Sequence, residues 1–383
     1  MFRSYQYCHP HPFEELHGFV SGAMELICRS TTDSSFEKDI LDKLHPEFKA
    51  LVNEESKNKS DYLYKPMEKL FHLIKGEPPA QKLLLLKAIK ENNEIEDICQ
   101  TVSRQLISYE EITNKTLRKE LLTFLNNLYE GYLNRSSFIR YATRRAREMG
   151  LPETARVDFK HHFDSLVTNS QMRVCPFCGM GLLLNKFNDG RNAYDHFLPK
   201  GTIPFVSVNF RNLAPMCDEC NSKNKLAKVP VCKQGDINKP RVKAFYPFAK
   251  QAPVINIGFE ILNEGKSWDE LLLSEINLII TTAQIDEAES WKNTFCIESR
   301  YKAQALGSIN TWLDSLRIEY AEDKKDYPQI KWKAFIDKAL RTYQSNRYVE
   351  LNFLKYALLK CLMKDNELIR LLEAYEKSQL NLG

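Results

Sequence analysis

Two Cys-x-x-Cys pairs, Cys175/Cys178 and Cys217/Cys220, stand roughly forty residues apart in a chain of 383. A tetrahedral zinc ion takes four thiolate or imidazole ligands, and two such knuckles supply four sulfurs without help from elsewhere. The pattern predicts one structural zinc on Cys175, Cys178, Cys217 and Cys220, in preference to buried thiols or a redox pair. The segment between the knuckles is then pinned at both ends.

The rest of the chain is long enough for two or three cores of ordinary size, so a small central module can be carried by larger flanks. Apolar residues make up 43% and charged residues 27%. Such proportions belong to a globular chain and argue against wholesale disorder. The opening Met1-Phe-Arg-Ser-Tyr-Gln has no apolar stretch leading to a cleavage site, and Leu83 to Leu86 are fenced by Lys82 and Lys87. Neither secretion nor a membrane span is expected, which places the protein in the cytoplasm. Cys8, Cys28, Cys99, Cys232, Cys296 and Cys361 are scattered singly and are expected to be reduced, mostly buried thiols.

Net charge is +4, but its distribution is uneven. Residues 171–250 hold 13 Lys and Arg against 5 Asp and Glu, a balance of +8, whereas the remainder has 41 against 45, or −4. The cation excess sits on the cysteine-bearing segment, where a surface that approaches phosphates would need it.

Apolar residues recur at three- and four-residue steps from Phe13 to about Asn169, for example Leu117, Leu121, Phe124, Leu125 and Leu128. The fold class expected is α+β and predominantly helical: an N-terminal helical domain (1–170), a small module (171–250) and a mainly helical C-terminal domain (251–383). Within the first, Arg140, Arg144 and Arg147 recur at helical spacing and could lie along a phosphate backbone, though a solvated helix face explains them as well. The module reads as two strands and a helix. Asn188-Asp-Gly is a hairpin signal, and the run from Cys217 has acids first and lysines later, as a helix does. Val242–Phe248 and the alternating stretch from Val254 to Ile261 are expected to be strands closing the module. Helices resume from Ile285 to about Lys377, with Trp291, Trp312, Trp332, Tyr343, Tyr348, Phe353 and Tyr356 expected in the core rather than as a base-stacking platform.

Cleaving a phosphodiester at a one-metal site needs a base for water, a hard cation on the phosphate and a means of orienting the base. Asp195-His196-Phe-Leu-Pro199, Asn212-Leu213 and Cys217-x-x-Cys220-Asn221 supply one candidate for each. In this order and spacing they resemble the HNH endonucleases, in which an Asp-His pair ends a strand of a ββα-metal fold and the CxxC pairs hold zinc. The resemblance covers about residues 171–230. It implies that His196 is the general base, that Asp195 and Asn221 bind the catalytic cation, and that Asn212 holds the loop and the imidazole in register. An Asn at 221 in place of the family's His makes the site harder, favouring Mg²⁺ or Mn²⁺. Lys223 and Lys225 are both close enough to reach phosphate, and Lys200 is a further expected nucleic-acid contact.

The resemblance further implies DNA as substrate and, since HNH proteins with long helical flanks look like the nucleases of bacterial anti-phage systems, an ATPase subunit as a possible partner. A zinc module that binds nucleic acid without cleaving it is the alternative. Three other features are set aside. Gly265-Lys266-Ser267 lacks the earlier glycine of a phosphate-cradling loop. Cys8-His9-Pro-His11 reads as an irregular terminal segment, and His161 and His162 as straddling a helix surface.

Overall fold

The computed structural model describes residues 2–7, 11–151, 156–262, 270–364 and 367–380. Among these, eight α-helices precede the cysteines: α1 (Pro12–Cys28), α2 (Pro46–Glu55), α3 (Tyr64–Lys75), α4 (Pro79–Glu91), α5 (Ile95–Gln100), α6 (Lys115–Glu130), α7 (Ser136–Glu148) and α8 (Phe159–Asn169). Local chemistry sets where several begin. Pro12 stands at the first helical position of α1, where its missing N–H costs nothing, and His11 accepts the Phe13 amide. Asn114 caps α6 and Asp158 caps α8, each side-chain oxygen accepting two amide hydrogens that no helical carbonyl can reach.

The apolar stripe Leu117, Leu121, Phe124, Leu125, Leu128 of α6 is buried, as its spacing requires, and packs toward α3. Each such side chain contributes on the order of 2 kcal/mol relative to exposure. Helix α1 lies at the centre of this bundle, against α3, α4 and α7.

The module that follows has too little regular structure to build a core of its own. Strand β1 (Tyr194–His196) pairs antiparallel with β2 (Leu213–Pro215), with Asp195 opposite Ala214 and His196 opposite Leu213. A π-helical turn, Glu219–Lys225, comes next. The hairpin expected about Asn188-Asp-Gly does not form as such: only an isolated bridge, Val174 to Leu182, precedes it, and the partner of β1 lies beyond the loop 197–212. Leu182 and Phe187 are 77% and 85% exposed, while Leu183 is buried in the common core and its amide donates to Arg173 O, so this run turns back on the first knuckle instead of pairing with β1. The core beneath the ribbon is lent by the helices, with Phe159 and Phe163 of α8 and Phe13 of α1 meeting Tyr194 and Phe210.

The strands expected to close the module belong elsewhere. Val242–Phe248 carries no strand, and β3 (Asn256–Ile261) pairs with β4 (Ile276–Thr281) and packs on α12 (Asn352–Leu362). The other carboxy-terminal helices are α9 (Ile285–Thr294), α10 (Ile297–Asp326), α11 (Trp332–Ser345) and α13 (Glu367–Leu380). Trp291, Trp332 and Phe353 are buried there, while Trp312, Tyr343 and Tyr348 are half-buried against the same core. The protein is thus mixed α+β and mostly helical, and no helix among the described residues is long and apolar enough to cross a membrane. Gly265-Lys266-Ser267 and Cys8-His9-Pro10 lie outside the described residues.

Candidate functional site

Cys175, Cys178, Cys217 and Cys220 are buried, and their sulfurs lie within 4.8 Å of one another. Bonds of about 2.3 Å around a tetrahedral zinc put ligand sulfurs about 3.8 Å apart. The Cys178 and Cys217 sulfurs are separated by 3.8 Å. Two glycines shape the first knuckle: Gly179 takes φ +69°, and a Cβ on Gly181 would fall 2.7 Å from the Cys217 sulfur. The cluster is therefore fit to hold a metal ion such as zinc. The carboxy-terminal helices grip it from behind. Trp291 Nε1 donates to Phe177 O at 2.6 Å, Tyr301 Oη to Cys178 O at 2.7 Å, and Arg300 Nη1 to the Cys220 sulfur at 3.3 Å. Of the other cysteines, Cys28, Cys99, Cys232 and Cys361 are free and buried, and Cys296 is free and half-buried.

Strand β1 brings Asp195 and His196 to the foot of this cluster, both nearly buried. The imidazole is fixed from two sides. Its Nε2 lies 2.9 Å from the carbonyl oxygen of Ser207, and its ring meets the edge of Tyr129 on α6 with centroids 4.4 Å apart. Burial holds its pKa down at about 3, only partly offset by the Ser207 carbonyl, so His196 is neutral near pH 7. A neutral ring that donates from Nε2 carries its lone pair on Nδ1.

Asn212, with no exposed area, clamps the loop between the strands. Its Nδ2 donates to Leu198 O at 2.9 Å, its Oδ1 accepts from Leu198 N at 2.8 Å, and its carbonyl accepts from Phe197 N at 2.8 Å. Asn212 thus holds the loop, while the imidazole itself is held by Ser207. The loop rests on the N-terminal bundle through Asn93, which donates to Phe205 O and accepts from Asn209 Nδ2.

The Asp195 carboxylate faces Lys225. The ammonium lies 3.2 Å from Oδ1 and 3.0 Å from Oδ2 and also donates to His196 O at 2.8 Å, and the lysine side chain has no exposed area. Burial pushes the Asp195 pKa up to about 6, with Lys225 opposing it. Oδ2 takes no hydrogen bond and has only this ion-pair contact. Asn221 stands half-buried four residues before Lys225, and in a π-helical turn, closed here by Leu226 N on Asn221 O, positions four to five apart share a face. Leu226, at φ +52°, ends the turn.

The remaining basic residues fall into two groups. Lys223 is exposed, whereas Lys200 pairs with Glu130 and sits 5.3 Å over the Tyr129 ring, next to His196. Arg140, Arg144 and Arg147 line a groove of about 450 Å³ with Arg156, but Arg140 pairs with Glu54 and Arg144 with Glu47 and Glu148. This stripe is largely neutralised by carboxylates of its own and neighbouring helices. His162 does not lie on a surface: it is buried, with Nδ1 2.5 Å from the Tyr194 hydroxyl and its ring 4.6 Å from that of His11. Sequence reasoning had no means of finding Ser207, because its contribution is a backbone carbonyl. No family model, curated protein or solved structure matches the chain.

Proposed function

We propose that the protein is an HNH-type endonuclease that hydrolyses phosphodiester bonds of DNA with the help of a divalent cation, with His196 as general base. The observation that carries this reading is the imidazole held by the Ser207 carbonyl at 2.9 Å. Pinned through Nε2 and kept neutral by burial, His196 offers Nδ1 as an oriented proton acceptor for water, a role worth typically 10²–10⁴ in rate.

Asp195 and Asn221 are the residues that would hold the cation. They fit one: both are hard oxygen donors suited to Mg²⁺ or Mn²⁺, and Asp195 Oδ2 is a buried carboxylate oxygen without a hydrogen bond. When bound, the ion supplies Lewis-acid stabilisation of charge on the phosphate. The chain's own residues do the rest. Asn212 fixes the loop that carries the Ser207 carbonyl, the four cysteines on zinc fix the strand and turn, and Lys200 and Lys223 meet the nucleic-acid backbone. DNA rather than RNA, a cytoplasmic setting and an ATPase partner in a bacterial defence or restriction system follow from the resemblance of the motif alone.

Purified, zinc-loaded protein with Mg²⁺ or Mn²⁺ is expected to nick or linearise plasmid DNA. His196→Ala should lower that rate at least a hundredfold while circular dichroism and zinc content stay unchanged; cleavage undiminished in this variant would refute the assignment. One observation favours a second reading, a zinc-stabilised subunit that binds nucleic acid without cutting it: the carboxylate needed for the cation is taken by Lys225. Salt-sensitive retention of DNA with no cleavage under any metal is its signature.

A further inference from the structure

We infer that Lys225 is a built-in counter-cation for Asp195, competing with a divalent ion for that carboxylate and leaving it for a phosphate when nucleic acid binds. The inference rests on the reading of Asp195 as a ligand of the catalytic cation, and it turns the contact that favours an inert binder into a condition on metal loading.

A buried carboxylate stays ionised only beside a partner, because transfer out of water penalises the bare charge severely. Lys225 is that partner. Its ammonium donates to Asp195 Oδ1 at 3.2 Å and to His196 O at 2.8 Å, and stands 3.0 Å from Asp195 Oδ2 as an ion-pair contact without a hydrogen bond. A divalent ion on the same oxygens would stand within a few ångströms of this ammonium in a poorly screened place, where like charges repel strongly. Metal and lysine therefore exclude each other at Asp195.

The lysine also has an exit. Lys223 and Leu226 of the same turn are exposed and Asn224 is half-buried, so the turn runs close to the surface while the Lys225 side chain is buried. The flexible four-carbon arm of a lysine is what would let Nζ turn outward on the side of Lys223, where a phosphodiester would lie. A strand of DNA at this surface thus offers the displaced ammonium a new anion at the moment the cation needs Asp195. By linkage, DNA raises the affinity for the cation by the same factor as the cation raises the affinity for DNA.

The test is Mn²⁺ binding followed by titration calorimetry on zinc-loaded full-length protein, with and without a duplex oligonucleotide, in a His196→Ala background so that the duplex stays intact. Without DNA, Lys225→Met should bind Mn²⁺ at least tenfold more tightly than the Lys225 protein. Adding duplex should tighten Mn²⁺ binding about tenfold in the Lys225 protein and leave Lys225→Met unchanged. Lys225→Gln, which keeps a hydrogen-bond donor for Asp195, serves as the second variant, with circular dichroism and zinc content reporting the fold. Folded variants that bind Mn²⁺ no more tightly than the Lys225 protein overturn the inference. Should neither variant fold, a lack of DNA enhancement in the Lys225 protein overturns it. Asp195→Asn separates the two levels: Mn²⁺ binding that needs Asp195 but ignores Lys225 refutes the counter-cation alone, whereas binding indifferent to Asp195, or no binding anywhere, removes the metal site on which it stands.

Discussion

On α7, Arg140 reaches Glu54, Arg144 reaches Glu47 and Glu148, and Arg145 reaches Glu15 and Glu148, with arginine side chains between 28% and 64% exposed. In the cysteine-bearing module a single lysine with no exposed area meets a single carboxylate. The first arrangement has more cations and more ion pairs. Yet water solvates each of its charges whether or not the pair forms, so each pair adds little. In the second, both groups are out of water, so removing either partner leaves a buried polar group uncompensated. The arginine spacing of α7 makes it a candidate phosphate-facing stripe, and burial reverses the ranking of what matters.

The contrast can be tested by breaking it, starting with the buried pair. Lys225→Met should destabilise the protein by about 3–5 kcal/mol, because it leaves a carboxylate buried and unpaired, and the double variant Asp195→Leu/Lys225→Met should recover most of the loss. Urea unfolding of the two variants measures this. A single variant as stable as the parent would show that the pair is not closed to water as its burial implies.

Buried groups kept neutral give the next largest effect. His162 is held down at about 3 by burial and then by His161, and His11 is pushed well below the ordinary histidine range by burial and by its neighbours His162 and His161. Both are uncharged in the fold and take up a proton on unfolding below about pH 6.5. Depressed folded values mean that the stability they contribute is present above that pH and is lost as pH falls. The expected loss is about 2 kcal/mol per histidine between pH 7 and pH 5. The shift of the urea midpoint with pH reads it, and His162→Gln should remove its own share.

Smallest is the exposed side of the comparison. Arg140→Ala, with the cation 64% exposed, should change stability by under about 1 kcal/mol, and that change should fade in high salt. A larger, salt-resistant loss would mean that the stripe is a structural clasp between α7 and α2.

Periodicity made the helical flanks legible: the α6 stripe and the helices around Trp291 and Trp332 follow from apolar spacing alone. The cysteine cluster was equally plain, since side chains of one kind at a fixed spacing can be read directly. What could not be read was whatever depends on backbone geometry. Asn188-Asp-Gly has good turn chemistry, but pairing is settled by which apolar faces find cover, and β1 found its partner beyond the loop at Leu213–Pro215. The carbonyl that orients His196 has no side-chain signature. Lys223 and Lys225 were indistinguishable at ordinary helical spacing. The wider π-helical turn assigns them opposite fates, exposing the first and turning the second inward.

The grip of α10 on the cysteines has a structural consequence. Arg300, 9% exposed, gives one nitrogen to the Cys220 sulfur and has Glu219 3.9 Å from another. With a metal bound, the Cys220 thiolate would be the nearer of its two anionic partners, in the first turn of a helix thirty residues long. Oxidising or stripping those thiolates would strand this cation in a nearly dry recess, and the strain would fall on the root of a rod about 45 Å long that braces the carboxy-terminal half.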